Sequence, residues 1–244
     1  MHAQPQFKLK DLKPDKDFIE WNESMSHKQD IDLYYGSSHA FIKYIEKLRL
    51  RKITGLIKSH LKKNNLTMTD PTILEVGCGT GHVLEEIADR IATKELIGID
   101  PLDWWLDKAK ARLGNRARLV KGFAEDLPFE NNSMDFVICT EVIEHVIDPK
   151  VALKELKRVI KNDGLIIISI PNEKLINRLK DMIDFFKIYK KLFSNIPKRN
   201  DDEWHLHSFD LKLFKDCIPT EIKVVSIIPI PSGFLPLRYI MTMN

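Results

Sequence analysis

The chain has 244 residues, 43% of them hydrophobic and 30% charged, with a formal net charge of +3. That composition suits one globular domain with attachments, and the charge is too mild to argue for DNA or another nucleic acid as partner. Cys78, Cys139 and Cys217 lie far apart with no C-x-x-C, against a disulfide or zinc framework and in keeping with a reducing cytoplasm; no run is apolar enough to span a bilayer, and the N-terminus lacks the core of a signal peptide.

Residues 1 to about 30 are polar, proline-containing and mixed in charge, and read as a loose arm. From Ile31 to Lys63 the pattern turns helical: Phe41, Ile45 and Leu48 share one face, and Ile53, Leu56, Ile57 and Leu61 another. These 63 residues are expected to cap a domain spanning 64–244. Tyr34-Tyr35-Gly36 reads equally well as a lid or as a packed loop.

The organising stretch is TILEVGCGTGHVLEEIADRI, Thr72 to Ile91. Ile73, Leu74 and Val76 form an apolar run suited to a covered parallel sheet, and Val83, Leu84, Ile87, Ala88 and Ile91 then recur at helical spacing. Between them Gly77, Gly79 and Gly81 let the chain turn sharply and let a ligand press against the main chain at a helix N-terminus. A dinucleotide fold wants G-x-G-x-x-G, which would put its last glycine at His82. Here the order is E-x-G-x-G-x-G, and the Glu75 carboxylate repels a pyrophosphate but suits a cationic amino-acid ligand. In this the chain resembles the class I S-adenosylmethionine-dependent methyltransferases.

The next strand, Glu95 to Asp100, ends in an acid about twenty residues past the turn, the distance at which a carboxylate reaches ribose hydroxyls; a helix N-cap is its plainer use. A helix follows, with Leu102, Leu106, Ala109 and Leu113 on one face and Gly114 as its stop. Arg118 to Lys121 reads as a third strand leading into Gly122-Phe-Ala-Glu-Asp-Leu-Pro-Phe129. This is similar to the family's G-D-A-E-x-L-P-F segment, with Phe123 where an Asp or Asn usually meets adenine. Glu125 or Asp126 substitutes for it, or Phe123 contributes only a hydrophobic or backbone contact. Ser133 to Thr140 is the fourth strand. Asp148-Pro149 opens a helix with Ala152, Leu153, Leu156, Val159 and Ile160 inward, and Asn162-Asp-Gly164 turns into a fifth strand, Leu165 to Ile170. Such alternation demands a parallel sheet with right-handed crossovers.

Leu175, Leu179, Met182, Phe186, Tyr189 and Phe193 form one stripe of an amphipathic helix over 174–193, within a lid-like insertion at 174–207. A lid over the acceptor, a surface helix touching anionic lipid at the membrane periphery, and plain packing with a solvated basic face all fit it. A helix capped by Ser208 then carries Leu211, Phe214 and Ile218 inward; Glu221 to Ile230 and Leu237 to Met243 read as the last two strands.

The resemblance implies a Rossmann-like α/β fold: a seven-stranded, mostly parallel sheet in the order 3-2-1-4-5-7-6, with helices on both faces. It implies S-adenosyl-L-methionine as cofactor, bound by Glu75, Gly77, Cys78, Gly79, Gly81, Asp100, Leu102, Phe123, Ala124, Glu125 and Thr140. In some relatives an arginine of the N-terminal segment meets the donor's carboxylate, a role open to Arg49 or Arg51, for which a solvated basic helix is the plainer reading. Glu141-Val-Ile-Glu-His145 matches the family's acceptor-facing E-x-x-E-H, and His145 has the pKa range to deprotonate a phenol or enol, which makes it the catalytic candidate. A helix there would put Glu141, Glu144 and His145 on one face, open to completion by His205 or His207. Some quinone-pathway and small-RNA O-methyltransferases hold Mg²⁺ on that spacing, while many members carry it without metal, so no metal is assigned. The expected acceptor is a small molecule or lipid-like precursor methylated on oxygen, with RNA or protein methylation, or a non-catalytic scaffold, as alternatives. Oligomeric state stays open.

Overall fold

The computed structural model describes residues 6–11, 13–28, 32–35, 40–63, 70–185 and 204–244. Its seven-stranded sheet comprises β1 (Thr72–Val76), β2 (Glu95–Asp100), β3 (Arg118–Lys121), β4 (Met134–Thr140), β5 (Ile160–Pro171), β6 (Val224–Pro231) and β7 (Pro236–Met243). The spatial order is 3-2-1-4-5-7-6. β1 to β5 run parallel, and β7 is antiparallel to both β5 and β6.

The strand alternation separates two cores. Leu74, Val76, Ile97, Ile99, Val137 and Ile168 point to one face, against Ala152, Leu153 and Leu156 of α6 (Pro149–Val159) and Phe214 of α8 (Leu211–Cys217). Ile73, Leu96, Phe136, Ile138 and Ile167 point to the other. There they meet α3 (Ala40–Lys63), α4 (His82–Arg90) and α5 (Asp103–Leu113) through Ile53, Ile57, Val83, Ile87, Ala109 and Leu113. This period of two is why each parallel strand reads as a continuous apolar run.

Several expectations change. Residues 16–28 are no loose arm but the helix α1 (Lys16–Lys28), held by buried Phe18 and Met25 and by Trp21 packed against the tryptophan cluster of Trp105 and Trp204. The segment from Ala40 to Lys63 is one helix; Ile45 is buried in it, whereas Phe41 is half exposed. Asn162-Asp163-Gly164 stays within β5 as an irregularity opposite Asp135, because Ile160 already pairs with Met134 before Leu165 pairs with Phe136. α8 is capped by Asp210, which accepts from the Leu213 N–H, rather than by Ser208. Asp148 caps α6 as expected, with Pro149 at its first position. α7 is described over Glu173–Phe185; the expected continuation through Phe186, Tyr189 and Phe193, and Gly36 of the possible lid, lie outside the described residues.

Candidate active site

At the carboxyl ends of β1, β2 and β4 the loops enclose a cavity of about 250 Å³. Ligands of open α/β sheets bind at such ends. Of the residues singled out in the sequence, Glu75, Gly77, Cys78, Gly79, Asp100, Phe123, Ala124, Glu125, Thr140 and His145 line it. Gly81 and Leu102 do not. Gly81 starts α4 with φ +84, and a Cβ there would press on Ala109 and Leu113, so it serves helix packing. Leu102 is turned into the tryptophan cluster, and what it gives the site is its N–H, donated to Asp100.

The glycine turn is built on the neighbouring strand. Gly77 and Cys78 both donate their N–H groups to the Ile99 carbonyl, at 2.8 and 3.0 Å. Gly77 has φ +69, and a Cβ on it would sit 2.3 Å from Val142 Cγ2. Asp100 is buried and accepts from Gly79 N–H at 2.9 Å and Leu102 N–H at 3.0 Å, which fixes both the turn and the start of α5. Burial pushes its carboxyl up to about 7, against the pull of those two N–H groups. Each carboxylate oxygen has a second lone pair, so both retain acceptor capacity toward a hydroxyl. Burial likewise raises Glu75 well above the usual carboxylate range, and its Oε2 has no hydrogen-bond partner.

Beyond β3, Glu125 accepts from Ile147 N–H at 2.8 Å and Asp126 pairs with Lys13 at 2.8 Å. Asp126 is absent from the cavity wall, whereas Phe123 and Glu125 both line it.

Sequence reasoning missed a buried charge chain. Glu46 and Arg49, three apart on α3, pair at 3.0 Å; Glu46 also holds Arg238 of β7, and Arg238 reaches Glu141 at 2.9 Å. Arg49 is no solvated arginine: it is 3% exposed, hydrogen-bonds the Tyr35 hydroxyl, lines the cavity, and leaves Nη1 unpartnered. Arg51 is exposed. Two signals were legible, the spacing of Glu46 and Arg49 on the face of buried Ile45 and Ile53, and a lone arginine in an apolar strand. Tyr35 belongs to α2 (Asp32–Tyr35). Asp32 of α2 accepts from the Thr80 hydroxyl at 2.7 Å and bonds His82 Nε2 at 2.8 Å, which seats α2 against the glycine turn.

The far wall comes from Glu144, His145, Glu173, Ile176, Asn177, Lys180, Trp204 and His205. No helix forms over Glu141 to His145: Glu141 has φ +57, accepts from the Ser169 hydroxyl and pairs with Arg238. The Glu144 carbonyl accepts from Leu206 and His207 N–H groups, drawing 204–207 over the site. The His145 ring lies between Trp204 and His205, with centroids 4.7 and 4.6 Å away. Burial holds His145 well below the usual imidazole range, so it is neutral, and its Nδ1 has no partner. His207 instead bonds the Val146 carbonyl at 2.8 Å. Asn22 of α1 fixes Trp204 by accepting from its Nε1 at 2.8 Å.

A family profile described as a methyltransferase domain matches residues 74–168, which takes in β1 through most of β5 and every loop from which the sheet side of the cavity is built. Over those residues the chain is similar to a methyltransferase domain. A demethylmenaquinone methyltransferase of Staphylococcus aureus is 31% identical over 135 residues, covering 54% of this chain and 56% of the relative. The chain thus spans about half the length of the curated relatives it matches. A Pyrococcus horikoshii protein of solved structure superposes with a TM-score of 0.59 at 19% identity, over 90% of this chain and 98% of that one. An S-adenosylmethionine-dependent methyltransferase of Clostridium acetobutylicum gives 0.54 at 16%, over 80% and 91%. At such identities the two structures speak for the fold. No helix among the described residues is long and apolar enough to cross a membrane.

Proposed function

We propose that the protein transfers the methyl group of S-adenosylmethionine to an oxygen of a small-molecule or lipid-like acceptor. One observation carries this reading: the glycine turn, Asp100, Arg49 and His145 face a single cavity from opposite sides. The donor lies along the glycine turn. Its ribose hydroxyls bond Asp100, its adenine packs on Phe123 and Ala124 between Glu125 and Thr140, and its carboxylate meets the open Nη1 of Arg49. Glu75 sits by the donor's cationic amino acid, whose charge draws the carboxyl into its ionised form.

The acceptor lies against His145, Trp204 and Ile176. Its hydroxyl gives its proton to the neutral His145 Nδ1 as the new oxygen–carbon bond forms; the sulfur–carbon bond breaks, and its electron pair neutralises the sulfonium. The enzyme's main work is to hold the two in line and keep water out. A lipid-like acceptor is in keeping with the relative whose name gives demethylmenaquinone.

The test is incubation with methyl-labelled S-adenosylmethionine and a fractionated cell extract. The expected label is in organic-soluble or small polar products, base-stable and on oxygen by mass spectrometry. Label confined to RNA or protein overturns the acceptor class. Binding of S-adenosylhomocysteine without any labelled product identifies a scaffold.

A further inference from the structure

The net charge of +3 conceals a strong asymmetry. Helix α3 holds eight of the 38 Lys and Arg residues but one of the 35 Asp and Glu residues, so it carries +7 and the rest of the chain −4. The one acid, Glu46, is 4% exposed and already held by Arg49 and Arg238. Arg49 is buried with it, and the other seven cations, between Lys43 and Lys63, are all exposed. None of those seven pairs with a carboxylate among the described residues. We infer that the outer face of α3 docks the protein on an anionic lipid bilayer, beside the cavity.

Tyr44, Lys47, Arg51, Lys58 and Lys62 follow one another at three, four, seven and four residues, which sets them in one row along the helix. At 1.5 Å per residue the row is about 27 Å long. The opposite side is fixed in the core, where Ile45, Ile53 and Ile57 pack against the sheet. The adjoining helix α4 does not neutralise the row, because its Glu85, Glu86 and Asp89 are taken by Arg112, Arg90 and Arg116. At the N-terminal end of α3, Phe41 and Tyr44 are 51% and 56% exposed. A row of cations ending in aromatic rings fits a plane of anionic headgroups: charge draws the face down and the rings enter the interface. Six of the seven exposed cations are lysines, point charges on flexible stems. These suit a field of headgroups better than base edges, for which arginine is the usual reader.

The expected membrane-touching stretch has no such excess in its described part. There α7 balances Lys174, Arg178 and Lys180 against Glu173, Asp181 and Asp184. The face of α3 also adjoins the site: a depression lined by Lys43, Lys47 and Leu50 shares Tyr35, Glu46 and His82 with the cavity wall. The inference rests for its purpose on the reading of a lipid-like acceptor, since docking here sets the cavity at the surface from which such a molecule comes.

The experiment sediments the whole protein with vesicles of phosphatidylcholine alone, or of phosphatidylcholine with about 30% phosphatidylglycerol. The anionic vesicles are expected to bind at least about 100-fold tighter, and raising salt from about 0.1 M to about 0.5 M should reverse most of that. A lysine near an anionic surface is worth roughly five-fold in affinity. Lys58→Gln with Lys62→Gln should therefore weaken binding about 25-fold. Lys150→Gln with Lys154→Gln, exposed on α6 across the sheet, should leave it unchanged. Phe41→Ser with Tyr44→Ser should weaken it about 10–100-fold. Circular dichroism and urea unfolding check that each variant is folded. The inference falls if wild-type protein binds both vesicles alike or neither, or if the folded Lys58 and Lys62 double variant binds as tightly as wild type. Duplex RNA or DNA bound more tightly than the anionic vesicles also overturns it. Vesicle binding that fails while S-adenosylhomocysteine still binds sinks only the docking face; vesicle binding without any affinity for S-adenosylhomocysteine sinks only the methyl-transfer reading.

Discussion

Replacing Gly77 by alanine tests the geometry of the glycine turn. The residue has φ +69, and its new Cβ would lie 2.3 Å from Val142 Cγ2 and 3.0 Å from Cγ1. Left-handed backbone costs a residue with a Cβ roughly 1–2 kcal/mol. Forcing a methyl group into a packed wall adds about 1–3 kcal/mol, because Val142 must leave its rotamer or the turn must shift. The sum is about 2–5 kcal/mol, a large share of a typical domain's stability. For a chain of this size that lowers Tm by about 5–15 °C. Val142→Ala removes the obstructing methyls but not the dihedral strain. In a double-mutant cycle followed by urea unfolding, the Gly77→Ala penalty in the Val142→Ala background should therefore shrink by about 1–3 kcal/mol and leave about 1–2 kcal/mol. The reasoning is refuted if Gly77→Ala costs less than about 1 kcal/mol, or if the penalty is the same in both backgrounds.

Four further outcomes follow from the site. Arg49→Met should weaken S-adenosylhomocysteine binding about 10–100-fold by calorimetry, the worth of a charge-assisted hydrogen bond, while exposed Arg51→Met changes nothing. Asp100 is raised from 3.8 to about 7 in the unliganded protein, so between those values the folded state holds a proton the unfolded chain has lost. Its stabilising share is complete below the lower value and is lost as pH rises to 7, a change of about 4 kcal/mol over the window; the stability difference between wild type and Asp100→Asn, measured in urea at pH 4.5 and 7.5, should move by that order, and a pH-independent difference contradicts the assignment. Glu75→Gln should flatten the rise of donor affinity with pH that wild type shows, since the wild-type carboxyl must shed a proton to face a cation; parallel profiles for the two proteins would count against the pairing. His145→Gln should lower kcat about 10²–10⁴-fold with S-adenosylhomocysteine affinity retained, and an unaltered kcat removes it from the chemistry.

The strands and the helices between them were legible in the sequence because they rest on local signals, whereas the order of the sheet came only with the family resemblance. Ile73 to Val76 and Leu165 to Ile170 are apolar runs with strand spacing, and the glycine turn and Asp100 bracket one βα unit whose register the chain fixes within about 25 residues. Phe123 to Glu125, singled out by their similarity to the family's segment, line the same cavity, as does Thr140 at the end of β4. The loose reading of residues 16–28 failed because Phe18, Trp21 and Met25 are too sparse to show a stripe: Met25 and Trp21 pack on Trp105 and Trp204, and Phe18 on Phe7 and Trp21. What the tertiary structure alone decided is which polar groups are dry and which face each other. Arg49 reads as a surface residue until Glu46, Tyr35 and Arg238, the last contributed by the strand nearest the C-terminus, enclose it. Glu141 matches the family motif, yet its left-handed backbone and its bond to Arg238 remove it from the group that Glu144 and His145 form with His205, about sixty residues on. Burial and pairing of charges depend on contacts between distant segments, and no local periodicity encodes them.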